Sequence, residues 1–160
     1  MTLADVDHKA LAISLNQRIW FLLEKKDRTA EECEEMVHVA HASLWHWLQV
    51  GGPVQQQRGE WLIGRVYVVL GIAEAALRHA ERTFDLTERH SAELQDFDHA
   101  YAYELMARAL LLSGDHGKAL DMWERAGNLG AEIQGVEDRE IFQGDLRAIP
   151  FVPVCDANAI

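Results

Sequence analysis

Apolar residues recur along this chain at every third or fourth position, and the runs are broken by glycine, proline and short polar clusters, which is how a string of amphipathic helices is written. Leu11, Leu15, Ile19 and Leu22 form one such stripe, on a helix expected from Asp5 to Lys26. Thr29 followed by Glu32 is a capping box that opens a second helix, which lasts to Val50 and stops at Gly51, Gly52 and Pro53. The third helix is expected from Val54 to Leu70, ending at Gly71, and the fourth from Ile72 to His90. Ser91 to Asp96 is polar and reads as a loop. A fifth helix then covers Phe97 to Ser113; Gly114 and Asp115 stop it and cap a sixth, which reaches Leu129. Ile141, Phe142 and Leu146 give Glu137 to Leu146 the apolar edge of a short closing helix. Pro150 and Pro153 make Ile149 to Ile160 an extended tail. The expectation is an all-α chain of six to seven helices, one domain over 1–148 followed by the tail 149–160.

Within that string one segment is written twice. Gly64, Tyr67, Gly71, Ala76, Ala80 and Leu86 stand at nearly the same offsets from a central glycine as Ala107, Leu110, Gly114, Ala119, Trp123 and Ala126. Small and large residues alternating about a turn glycine describe a helix, a tight turn and an antiparallel second helix. The first hairpin carries a degenerate copy, with Phe21, Glu24, Arg28, Cys33, Val37 and Ala40 at the corresponding places. Gly71 and Gly114 stand 43 residues apart, longer than the ~34 of a standard repeat of this kind. Either the helices are overlong or the Ser91 to Asp96 loop is inserted.

These residues resemble the tetratricopeptide repeat family, over roughly half of the chain. The resemblance implies a right-handed stack of antiparallel helical hairpins. His41, Ser43, Trp45 and His46, with Arg58, Glu60 and Trp61 and with Asp96, Phe97, Asp98 and Tyr101, also look like a bacterial family of repeat proteins to which no activity is attached. In the tetratricopeptide family the first helix of each hairpin lines a concave face. The resemblance therefore places Arg18, Arg58, Trp61, Arg65, Tyr101, Glu104 and Arg108 in a groove. Arginine forks pair bidentately with carboxylates or phosphates, and Trp and Tyr give flat apolar contact. Such a groove suits an acidic peptide or protein segment, or an anionic small ligand. The alternative is that Arg58 and Arg65, seven residues apart on one helix, pair locally with Glu60, Glu104 or neighbouring acids.

Composition narrows the partner. The 160 residues carry a formal charge of −11, which disfavours nucleic acid and anionic membranes, because counterion release needs clustered Lys and Arg. No apolar stretch approaches the ~20 residues of a membrane span. Cys33 and Cys155 lie far apart with no metal-type pairing and read as free thiols in a reducing compartment, so a cytoplasmic protein is expected. A second copy of the chain is the other partner considered, since repeat arrays need covered ends.

The second helix is rich in histidine, which raises a chemical reading. Glu34, His38 and His41 fall within about 60° of one another around a helix and could hold a divalent metal. No second Glu-x-x-His unit and no H-E-x-x-H occurs, so that reading rests on spacing alone. Alternatively, His38, His41 and His46 are interhelical hydrogen-bonding residues beside Trp45 and Trp47. Ser43 with His46, and Cys33 with His38, lack the strand-turn elbow that presents a nucleophile. Gly51 and Gly52 precede proline and glutamines rather than the lysine and hydroxyl of a nucleotide loop. Trp45 and Trp123 are expected in the core, with Trp61 the most exposed tryptophan. The expectation is a non-enzymatic interaction module with no catalytic residue, metal or cofactor. The competing one is an enzyme or sensor using the second helix with Arg58 and Glu60, which requires His41 or His46 to face Arg58 or Asp98 across an enclosed pocket.

Overall fold

The computed structural model describes residues 6–150. Cys155, most of the expected tail and the expected helix start at Asp5 lie outside the described residues. Seven α-helices follow one another: α1 (His8–Glu24), α2 (Ala30–Val50), α3 (Pro53–Val69), α4 (Ala73–Arg89), α5 (Asp96–Ser113), α6 (His116–Ala131) and α7 (Val136–Arg147), with a 3-10 turn at Ser91–Glu93. The chain is all-α over the described residues, each helix packing closely on the next, α4 on α5 included although the 3-10 turn lies between them in sequence. No helix among these residues is long and apolar enough to cross a membrane.

Local chemistry sets the boundaries. The Glu32 amide donates to Thr29 Oγ1 at 3.3 Å and the Thr29 amide donates to Glu32 Oε2 at 2.9 Å, so the expected capping box opens α2. Pro53 begins α3 rather than ending α2, because the first turn of a helix has no use for its missing N–H. Gly71 and Gly114 adopt φ of +72° and +88°, conformations that cost other residues a steric penalty. The 43-residue spacing comes from length in the helices, 17 residues in α4 and 18 in α5, joined by a short link.

The core is a chain of contacts running from end to end. Ile19 and Leu22 meet Met36, Ala40, Leu44, Leu62, Ile63 and Val66 at the α1–α3 end. Ala76, Ala80, Leu105 and Ala109 join α4 to α5. Ala100, Ala107, Ala126, Phe142 and Ile149 close the α5–α7 end. The repeated small positions Ala76, Ala80, Ala107, Ala119 and Ala126 are all fully buried. On α1 the buried stripe is Ala12, Ile19 and Leu22, while Leu11 is exposed. The helix has a close neighbour only on the α2 side, so the buried face is narrower than its apolar face.

Helices α3, α5 and α7 also pack on one another, with α2, α4 and α6 behind them. Between α1 and α3 the contact is thin and runs through Trp20 and Trp61, whose rings stack with centroids 6.0 Å apart. That gap creates a groove.

Candidate binding groove

Where α1 stands off α3, a cavity of about 950 Å³ opens along the face made by α1, α3, α5 and α7. Its size is at the upper end of the about 300–1,000 Å³ typical of ligand sites. Helix α1 contributes Ile13, Asn16, Gln17, Trp20 and Glu24; α3 contributes Arg58, Trp61, Leu62, Arg65 and Val69; α5 contributes Phe97, Asp98 and Tyr101; α7 contributes Ile141 and Asp145. Ala40, Ser43, Leu44 and Trp47 of α2 form the floor. The walls are mainly apolar and aromatic. Cations and anions on the rim roughly balance, so the groove is not the basic surface that four converging arginines would have made.

Each residue expected there can now be placed. Arg58 lines the groove but is engaged: its Nε and Nη2 donate to Asp98 Oδ1 and Oδ2 at 2.8 and 2.9 Å, and its guanidinium lies 5.0 Å from the Phe97 ring centroid. Asp98, 4% exposed, also accepts from the Gln95 amide at the start of α5. The partner is thus neither Glu60 nor Glu104 but an acid forty residues away. Arg18 is outside the groove, forked onto Glu35 of α2 at 2.7 Å for both bonds. Glu104 and Arg108 are likewise not on the groove surface. They are 1% and 8% exposed, pair with each other one turn apart on α5, and Arg108 Nη2 donates to the Asp145 carbonyl at 2.6 Å. Their spacing resembles a solvated surface pair, and the packing of neighbouring helices, α7 among them, over α5 puts them inside.

Tyr101, Trp61 and Arg65 do face the groove. Tyr101 Oη donates to Asp145 Oδ2 at 2.7 Å, and burial together with that bond pushes the phenol further toward its protonated form. Trp61 is half-buried between Trp20 and Tyr101, its ring 5.3 Å from that of Tyr101. The exposed tryptophans are Trp20 and Trp45, at 42% and 44%, which reverses the expectation for Trp45 and Trp61. Trp123 braces the core as expected, Nε1 donating to the Leu146 carbonyl at 3.2 Å. Trp20, with Ile13, Asn16 and Gln17 beside it on α1, is a groove residue that sequence reasoning missed. Its signal was the row Ile13, Gln17, Trp20 and Glu24 on the face of α1 away from Ala12 and Ile19.

The histidines lie elsewhere. His41 Nε2 meets Tyr67 Oη at 3.1 Å and its ring abuts His79, whose Nδ1 meets Glu60 Oε2 at 2.6 Å. His46 Nδ1 meets His8 Nδ1 at 2.8 Å. Both are interhelical bonds, and neither histidine faces Arg58 or Asp98. Ser43 Oγ is buried and donates to the Ala12 carbonyl at 3.0 Å, a structural role. Glu34, His38 and His41 do not converge: among the described residues no three His, Cys, Asp or Glu side chains are arranged to hold a metal.

Under the groove, burial pushes the Glu104 carboxyl above its ordinary 4.5, opposed by Arg108 and Arg65. Between 4.5 and the raised value the folded chain holds a proton that the unfolded chain has lost. Glu104 therefore contributes stability that is complete below the unfolded value and is lost as pH rises through the folded one. Glu104→Gln cannot titrate, so urea unfolding of both proteins from about pH 4 to about pH 8 isolates the effect. Wild type should lose stability relative to the variant as pH rises; parallel curves would contradict this.

No protein family, no characterised protein and no solved structure gives a match to this chain.

Proposed function

We propose that this protein is a non-enzymatic interaction module of tetratricopeptide-like architecture, acting in the cytoplasm, whose groove captures a segment of a partner protein. The observation that carries this reading is the groove itself. It is walled by aromatic and aliphatic side chains from several helices, with polar groups of α1, α3, α5 and α7 set among them. Buried contact on flat aromatic rings supplies most of the energy in such sites, and scattered polar groups set register. The repeated small residues about Gly71 and Gly114 support the repeat architecture, and the charge of −11 argues against nucleic acid as the partner.

A displayed library of random peptides, selected on the purified protein, supplies the ligand needed to test this. The double variant Ile13→Glu with Trp20→Ala changes two side chains that are 41% and 42% exposed and that line the groove. It should fold as wild type does and bind the selected peptides at least about tenfold more weakly. Equal binding by the variant in calorimetry would place the capture site off this groove.

A further inference from the structure

One cation in the groove has no hydrogen-bonded partner among the described residues. Arg65 is half-buried and, among the described residues, makes no hydrogen bond or ion pair. The acids around it bond to other groups, with one Glu104 oxygen left over. Glu104 is held by Arg108, Asp145 Oδ2 accepts from Tyr101 at 2.7 Å, and Asp98 is forked by Arg58. Arg108 repels Arg65, while Glu104 and Asp145 attract it without bonding to it. A guanidinium that has given up part of its hydration to apolar walls and keeps its donors open is suited to a planar carboxylate, which it can grip with two parallel bonds.

The neighbouring groups set an order along the groove. The links 25–29 and 51–52 reverse the chain twice, so α1 and α3 run the same way, with Trp20 stacked on Trp61 as their common level. Arg65 lies one turn beyond Trp61 on α3. Asn16 and Gln17 lie about one turn before Trp20 on α1, and their side-chain amides have no partner among the described residues. At 1.5 Å per residue the carboxylate grip and the amides are about 10 Å apart along the groove. That is about three residues of extended chain at ~3.3 Å each. We infer that the groove reads an extended peptide, with an acidic side chain on Arg65, bulky apolar side chains across the Trp20–Trp61 step, and backbone amides against Asn16 and Gln17.

This rests on the segment-binding reading above, and the test separates the two. The random-peptide library is selected in parallel on wild type and on Arg65→Gln, which should unfold in urea in one cooperative step as wild type does because Arg65 makes no hydrogen bond or ion pair. Wild type should enrich an acidic residue at a fixed short offset from bulky apolar ones. On the variant the acidic enrichment should vanish while the apolar enrichment stays. Exchanging that acid for its amide in one selected peptide should weaken binding to wild type about 10- to 100-fold and leave binding to the variant unchanged. Apolar peptides without an acid on wild type, or an acid retained equally on the variant, would overturn the role of Arg65 while the groove reading stands. Peptides that bind wild type and the Ile13→Glu, Trp20→Ala variant alike would overturn both.

Discussion

Replacing Arg108 by alanine is expected to lower the folding free energy by about 3–5 kcal/mol, as is usual when one member of a buried ion pair is removed. Arg108 Nε holds the Glu104 carboxylate, and its Nη2 reaches across to the Asp145 carbonyl near the end of α7, so it joins α5 to the last helix. Alanine leaves Glu104, 1% exposed, with a carboxyl group that has lost its partner and already has one oxygen unbonded. The loss should deepen as pH rises, since protonating Glu104 is the remaining way to relieve it. Replacing both residues by methionine should recover much of the loss, because apolar groups of similar volume need no partner. Urea unfolding reads all three variants, and a loss below about 1 kcal/mol in Arg108→Ala would show that the pair is not isolated from water.

Phe142→Ala should cost a similar amount, about 3–5 kcal/mol, and should also damage the groove. Phe142 is fully buried, and its ring meets Tyr101 edge-on with centroids 4.9 Å apart. It nests against α6 at Gly130, where any side chain would run into the ring. With the ring gone, α7 loses its main anchor, and with it the placement of Ile141 and Asp145 at the groove edge. Hydrogen exchange should show α7 amides losing protection ahead of the rest of the chain. Uniform loss of protection in all helices, or stability within about 1 kcal/mol of wild type, would contradict this.

Local signals carried the helix string. The Thr29–Glu32 box, the glycines at 71 and 114 and the Asp115 cap each act within a few residues, so the chain alone displays them. The repeated alanines were readable for the same reason, as small residues at contact positions. What stayed hidden depends on partners far away in sequence. Arg58 and Asp98 are brought together by α3 packing on α5, and no spacing rule announces that pair. Glu104 and Arg108 have the spacing of an exposed helix pair, and the helices packed over α5, distant in sequence, bury them. Trp61 is half-buried rather than exposed because Trp20 of α1 and Tyr101 of α5 close on it, a contact between distant segments, and α1 has a full neighbour on one side only. Its outer apolar residues therefore face the groove or solvent instead of a core.

The groove claim is tested most directly by nuclear magnetic resonance of the nitrogen-15-labelled protein titrated with a library-selected peptide. The account predicts that the Trp20 and Trp61 indole signals and the Arg65 and Tyr101 amides shift together and saturate with one dissociation constant, while signals of α4 and α6 that face away stay in place. Shifts gathered instead on His41, His79 and Tyr67, or on the outer faces of α4 and α6, would contradict it.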